Sequence, residues 1–242
     1  MTVIASIHQP NFLPWLGYFH KMTYSDVFVF LDLAQYTKQT YINRCVISQA
    51  GKEVRLIIPV SLDKWDAEIR DVRVEPKKFA RKHLESLRIA YGKCPHYDSV
   101  MAVVRPSYEG DPTNLADFNI GLIQVISEFI GIHPQFVRLS DLHLGSSKNK
   151  LLIDIANACD VDAYVSGVGA RAYIDGHEHE YEKAGVDLSY QNFEHPTYPQ
   201  RNNPFIKGCS ILDLLFNCGA QALEFLQQQD VPPYLGWQRT DA

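Results

Sequence analysis

Two hydrophobic periods alternate along this chain. Residues 3–7 (VIASI) and 27–33 (VFVFLDL) are short apolar runs of the kind a sheet buries on both faces, and residues 13–24 between them suit a short helix, with Pro14 tolerated in its first turn. Strand, helix, strand predicts a βαβ unit at the start. RCVISQAGKEVRLIIPV predicts a hairpin turning at Ala50-Gly51-Lys52, and residues 69–75 (IRDVRVE) one more strand. Phe79, Leu84, Leu87 and Tyr91 fall near helical spacing, as do Phe118, Leu122, Ile126 and Phe129. PQFVRLSDL returns to strand character, and Ser146 or Ser147 caps a helix carrying Leu151, Leu152, Ile155 and Ala156. Residues 163–165 form a brief strand before Ser166-Gly167, VDLSYQNFE a last one, and SILDLLFNCGAQALEFLQQQ a closing helix. The expected fold class is a three-layer α/β domain: a largely parallel sheet, flanking helices and a small antiparallel hairpin at an edge or in an appended sheet. A single domain over 1–229 is expected, with 76–131 as a helical insertion or cap and 230–242 as a loosely held tail.

Composition narrows the function classes. Of 242 residues, 46% are hydrophobic, ample for a core, while a net charge of -5 argues against broad nucleic-acid or membrane-surface binding and leaves room for a local basic groove. No apolar run approaches the ~20 residues of a membrane helix. The N-terminus lacks a basic region followed by an apolar one, so a cytoplasmic protein is expected. Five cysteines, an odd number with no C-x-x-C pair, read as reduced core thiols and not as a zinc site. Neither a metal nor a tightly bound cofactor is expected.

Polar clusters sit where the predicted strands end, which is where open α/β sheets collect ligands. His8-Gln9 follow the first strand, and Asp32, Gln35 and Tyr36 the second. Ser166-Gly167 follow DAYV, and Tyr190-Gln191 lie in the last strand. Pro10 forces Gln9 into an extended conformation and ends the pairing, so His8 and Gln9 sit at a rigid corner, with Phe12, Trp15 and Phe19 anchoring the next helix. With parallel strands, His8, Asp32, Asn43, Ser166 and Tyr190 are expected to line one pocket.

HQPNFLPWLGYFHK, then Leu31-Asp32, Gln35-Tyr36, Asn43-Arg44, Ser166-Gly167, Tyr173, Tyr190-Gln191, Tyr198-Pro199-Gln200 and residues 210–217 (SILDLLFN), resemble the WbqC-like family from about Ile7 to about Gly219. The resemblance implies a part in bacterial O-antigen or related surface-polysaccharide synthesis, and transfer of glycine or another acyl group onto an amino sugar. It carries no catalytic assignments. For acyl transfer the expected partners are a nucleotide-linked amino sugar and an acyl donor, a tRNA-borne one included. His8 is the expected base, with Asp32 to orient it or bind the amine, and Gln9, Asn43 or a backbone N–H for the oxyanion. Lys38, Arg44 and Arg171 are expected to hold a diphosphate, and Tyr18, Tyr36, Tyr173 and Tyr190 to stack on a base or sugar. Gln35, Ser166, Gly167 and Gln191 complete the expected binding residues. Two alternatives stay open. The strand, histidine loop and helix resemble the His-x-Gly-His region of adenylate-forming nucleotidyltransferases, although Tyr18 follows Gly17 and His20 comes later; that implies an ATP-dependent ligase or nucleotidyltransferase. The other is a non-catalytic sugar-nucleotide binder.

Overall fold

The computed structural model describes residues 2–201 and 203–227; the tail expected at 230–242 lies outside them. β1 (Ile4–His8) leads through α1 (Leu16–Met22) to β2 (Val27–Phe30). A long connection then builds the hairpin β3 (Arg44–Gln49) and β4 (Lys52–Ile57), the short pair β5 (Val60–Ser61) and β6 (Arg73–Val74), and the helices α2 (Ala80–Tyr91), α3 (Tyr97–Glu109) and α4 (Leu115–Ile130). The chain rejoins the main sheet as β7 (Gln135–Arg138). It crosses by α5 (Leu139–Leu142) and α6 (Lys148–Ala158) to β8 (Ala163–Ser166), then by α7 (Arg171–Ile174) and α8 (Glu178–Lys183) to β9 (Asp187–Tyr190). It closes with α9 (Ile211–Cys218) and α10 (Ala222–Gln227).

The main sheet has the order β7-β2-β1-β8-β9 and every pairing in it is parallel. The expected three-layer α/β fold is thus the observed one, with β3–β4 and β5–β6 as separate antiparallel pairs. The period of two explains the layers. Val27 and Val29 of β2 face a core with Leu152, Ile155 and Ala156 of α6 and Tyr181 of α8. Phe28 and Phe30 face the opposite way, into a larger core with α1, the hairpin, α2–α4 and α9. Each ring fully buried there is worth roughly 1.5–3 kcal/mol. Residues 76–131 therefore share one continuous apolar core with α1, β3 and α9.

Four local expectations differ from the structure, the first being PQFVRLSDL, whose residues 139–142 (LSDL) are the helix α5 and not strand. Helix α1 starts only at Leu16, because Leu13 has φ 41° and the chain turns a corner there. Residues 69–75 form a 3-10 turn (Ile69–Asp71) and two residues of strand, because their backbone is drawn to the loop after β2: Arg70 N donates to Asp32 O (3.0 Å) and Ile69 N to Ala34 O (3.0 Å). The closing helix breaks at Gly219, where φ is 59° and a Cβ would stand 2.6 Å from the His96 ring.

Candidate functional site

The connections give the site its place. From β1 the chain steps to β2 and β7 on one side, then returns to β8 on the other side of β1. Such a switch point leaves a crevice beyond the carboxyl ends of the two central strands, where open α/β sheets bind ligands. A cavity of about 560 Å³ lies there. Its walls include His8 and Gln9 from the end of β1, Trp15, Gly17, Tyr18 and Lys21 from the following corner and helix, Ser166–Gly167 from the end of β8, and Gln191 and Phe193 after β9.

The corner is rigid for identifiable reasons. Asn119 Nδ2, on α4, donates to Pro10 O (2.9 Å) and Ile42 O (2.7 Å), and Phe12 N donates to Tyr41 O (2.9 Å). The left-handed Leu13 is held by full burial of its side chain, the kind of over-determined strain found at functional sites. Gly17 is needed for close approach: a Cβ would lie 2.7 Å from Trp15 Nε1 and 2.9 Å from Phe193 Cδ1. Gln191 clamps the same turn, its Nε2 donating to Gly17 O (2.7 Å) and to His20 Nδ1 (2.8 Å).

His8 packs its ring against Tyr18 (centroids 4.6 Å apart) and Trp15 (5.8 Å). Its Nδ1 lies 3.2 Å from Gln9 O, which also accepts from Tyr18 OH (3.1 Å). Bonding to a carbonyl assigns the proton to Nδ1 and leaves Nε2 as the acceptor. Burial, then the nearby Lys21 charge, push the His8 pKa down to about 3, against the bond to Gln9 O that raises it. His8 is therefore neutral throughout the physiological range, but its conjugate acid is too strong for it to be an effective base towards an ammonium proton.

Lys21 was not expected at the site. It is 1% exposed, and its Nζ donates to Ile7 O (3.2 Å). Burial lowers its pKa to about 7. Its signal was spacing: it follows Tyr18 by three residues and Gly17 by four, on the helix face that the corner turns towards the strand ends. Trp15, Phe193 and Tyr164 were also missed as wall residues; Tyr164 OH donates to Ser166 Oγ (3.2 Å), which donates to Gly167 O (3.3 Å).

Of the expected residues, His8, Gln9, Tyr18, Ser166, Gly167 and Gln191 are brought together in this wall. Asp32 and Asn43 are not. The Asp32 carboxylate is taken up by Ser140 at the start of α5, accepting from its N (3.0 Å) and Oγ (2.6 Å), so it caps instead of orienting His8. Asn43 closes the base of the hairpin by donating to Ile58 O (3.0 Å). Gln35 pairs through its backbone with Glu68 and its exposed side chain lies outside the wall, while Tyr36 is buried in the larger core. Lys38 is exposed on a loop outside the wall. Arg44 donates to Thr40 O (3.3 Å) and borders a separate groove with Arg55 and Lys207. Arg171 and Tyr190 sit outside the wall and engage each other, the guanidinium 4.5 Å above the ring, while Tyr190 OH donates to Asp175 (3.1 Å). The Tyr173 side chain lies outside the described residues. The five cysteines are free and all but Cys159 are buried, as expected of core thiols. No helix among the described residues is long and apolar enough to cross a membrane.

The sequence model of the WbqC-like protein family matches residues 9–225, nearly the whole chain. The uncharacterized protein Rv1507c of Mycobacterium tuberculosis is 29% identical over 226 residues, covering 92% of this chain and 97% of that protein. No solved structure matches the chain.

Proposed function

The chain belongs to the WbqC-like protein family, and from that premise we propose that it is an N-acyltransferase, glycyl transfer being one form, that modifies a nucleotide-linked amino sugar for a bacterial O-antigen or related surface polysaccharide. One observation carries this: the switch-point cavity combines aromatic walls with uncharged hydrogen-bonding groups in a space of about 560 Å³, within the range of small-molecule sites. Trp15 and Phe193 are half-buried and offer apolar faces to a sugar or base. Gln9, Ser166 and Gln191 offer hydrogen bonds to sugar hydroxyls. The Gly167–Gly169 backbone lines the same wall, and its N–H groups are the proposed donors to the diphosphate. Acyl transfer to an amine needs a neutral amine, a proton acceptor and donors for the developing oxyanion. A cytoplasmic setting and no membrane partner are part of the proposal.

A second function is favoured by the strand order. Counted in order of appearance, the five strands run 3-2-1-4-5, the order of dinucleotide-binding sheets. That supports an ATP-dependent ligase or nucleotidyltransferase acting on the same sugar, although Tyr18 follows Gly17 where such enzymes carry a histidine. One experiment separates the two. The purified chain is incubated with a panel of nucleotide-linked amino sugars and acyl donors, with and without ATP, and read by mass spectrometry. An acyl mass gain on the sugar without ATP is the expected result. A gain only with ATP, together with AMP or pyrophosphate, favours the ligase. Binding with no mass change for any combination defeats both enzymes and leaves the non-catalytic binder.

A further inference from the structure

Building on acyl transfer to a sugar amine, we propose that Lys21 is the catalytic base: its Nζ takes the proton from the sugar nitrogen as that nitrogen attacks the donor carbonyl. Geometry carries the assignment. Lys21 is buried, yet it belongs to the cavity wall, and one bond to Ile7 O occupies one of the three donor positions of its amine. A buried lysine usually has a carboxylate partner. Here no carboxylate belongs to the cavity wall. The titratable groups that share the wall are His8 at the end of β1, Tyr18 on α1 and Tyr164 on β8. Leu31 after β2 and Leu152 on α6 are apolar, and Gln191, Asn192 and Phe193 do not titrate. No negative charge in the wall therefore holds the ammonium form, and desolvation brings the amine to a pKa of about 7. A base poised near working pH is the one that transfers protons most efficiently. A pKa lowered by burial is the usual way a lysine is made into one.

The step balances. The sugar nitrogen uses its lone pair to bond the carbonyl carbon of an activated acyl donor, such as a thioester or acyl phosphate. Lys21 Nζ accepts the proton that the nitrogen sheds. The tetrahedral intermediate collapses, the bond to the leaving group breaks with its electron pair going to that group, and Lys21 returns the proton to it. The lysine ends neutral, ready for another turnover.

The test uses the full chain. Lysine Nζ nitrogens are labelled and titrated by NMR, with Lys21→Met assigning the signal. A midpoint of about 7 is expected, and one near 10.5 overturns the proposal. Acyl transfer by wild type is then compared with Lys21→Ala and the near-isosteric Lys21→Met. Both variants are expected to lose roughly 100-fold or more. Added small primary amines should restore part of the Lys21→Ala rate, increasingly with their basicity. A loss in both variants with no amine rescue makes Lys21 structural and overturns the proposal. A wild-type rate in Lys21→Met overturns it while acyl transfer stands. No mass gain with wild type means that acyl transfer itself fails, whatever the titration shows.

Discussion

Two buried polar clusters in this molecule have opposite bonding economies. Asp213, on α9, is fully buried and its carboxylate accepts three hydrogen bonds of 2.7 Å, from Tyr91 OH, Tyr198 OH and Gln200 Nε2. Two of the donors are themselves engaged. Tyr91 OH accepts from Ser48 N (2.9 Å) on β3, and Gln200 Oε1 accepts from Ile206 N (2.8 Å). The cluster thus joins the hairpin, α2, α9 and the segment after β9. Lys21, equally buried, makes one bond to a carbonyl and faces a cavity. A closed network stabilises a unique packing, whereas spare bonding capacity in a cavity stabilises nothing until a ligand takes it. Burial alone does not separate a structural polar group from a functional one; the remaining donors and acceptors do.

Removing the centre of the closed network should have the largest effect. Asp213→Ala leaves the Tyr91 and Tyr198 hydroxyls without their acceptor, and a buried polar group left unpaired costs about 1–3 kcal/mol. The expected loss is roughly 3 kcal/mol or more, read as a fall in the denaturant midpoint. A loss below about 1 kcal/mol would mean the network contributes little, and the contrast with Lys21 would collapse.

The opposite sign is expected for Lys21→Met. Between about 7 and 10.5, the unfolded chain holds the Lys21 proton and the folded chain does not, so stability rises with pH across that window. Below it, the lysine disfavours folding by its full amount. Replacing it should raise stability at pH 6–7 by roughly 2–4 kcal/mol, and the gain should shrink to nothing near pH 10.5. A variant both more stable and inactive is the signature of a site maintained at the expense of stability. A destabilised Lys21→Met at pH 7 would place the lysine with Asp213 as a structural group.

The same contrast explains what the sequence discloses. Period-two runs such as VFVF gave away β2 and its two faces, and strand–helix alternation gave away the parallel sheet, because burial acts on every residue of an element. The corner HQPNFLPWLGYF was legible because Pro10 and the ring cluster act locally. Asp32 and Asn43 misled because a polar residue at a strand end looks the same whether it bonds Ser140, Ile58 or a ligand. That is decided by tertiary neighbours more than a hundred positions away in the case of Ser140. Lys21 was missed for the converse reason: lysines mostly lie at surfaces, and only the fold shows that this one is enclosed. The groove of Arg44, Arg55, Lys207 and Glu53 stands apart from the cavity, so the charged residues read from the sequence did not point to the cavity either.

The smallest effect expected is that of Tyr198→Phe, and it measures how redundant the closed network is. The ring keeps its packing against Phe205 and Phe225, so apolar burial is unchanged. Asp213 loses one donor and keeps Tyr91 on Oδ1 and Gln200 on Oδ2. The loss should be about 1 kcal/mol, that of one hydrogen bond with no donor stranded, and turnover should be unaffected because neither residue touches the cavity. The loss should also depend on pH. Burial raises the Asp213 pKa while its three donors lower it; with one donor gone the folded-state value rises further. A folded state that holds a proton more tightly than the unfolded one loses stability as pH rises, so the difference between variant and wild type should widen from pH 4 to pH 8. Chemical denaturation of both proteins at the two pH values decides it. A constant difference would mean that the Tyr198 hydroxyl does not sense the carboxylate charge, and that packing, not the charge-assisted bond, holds this segment against α9.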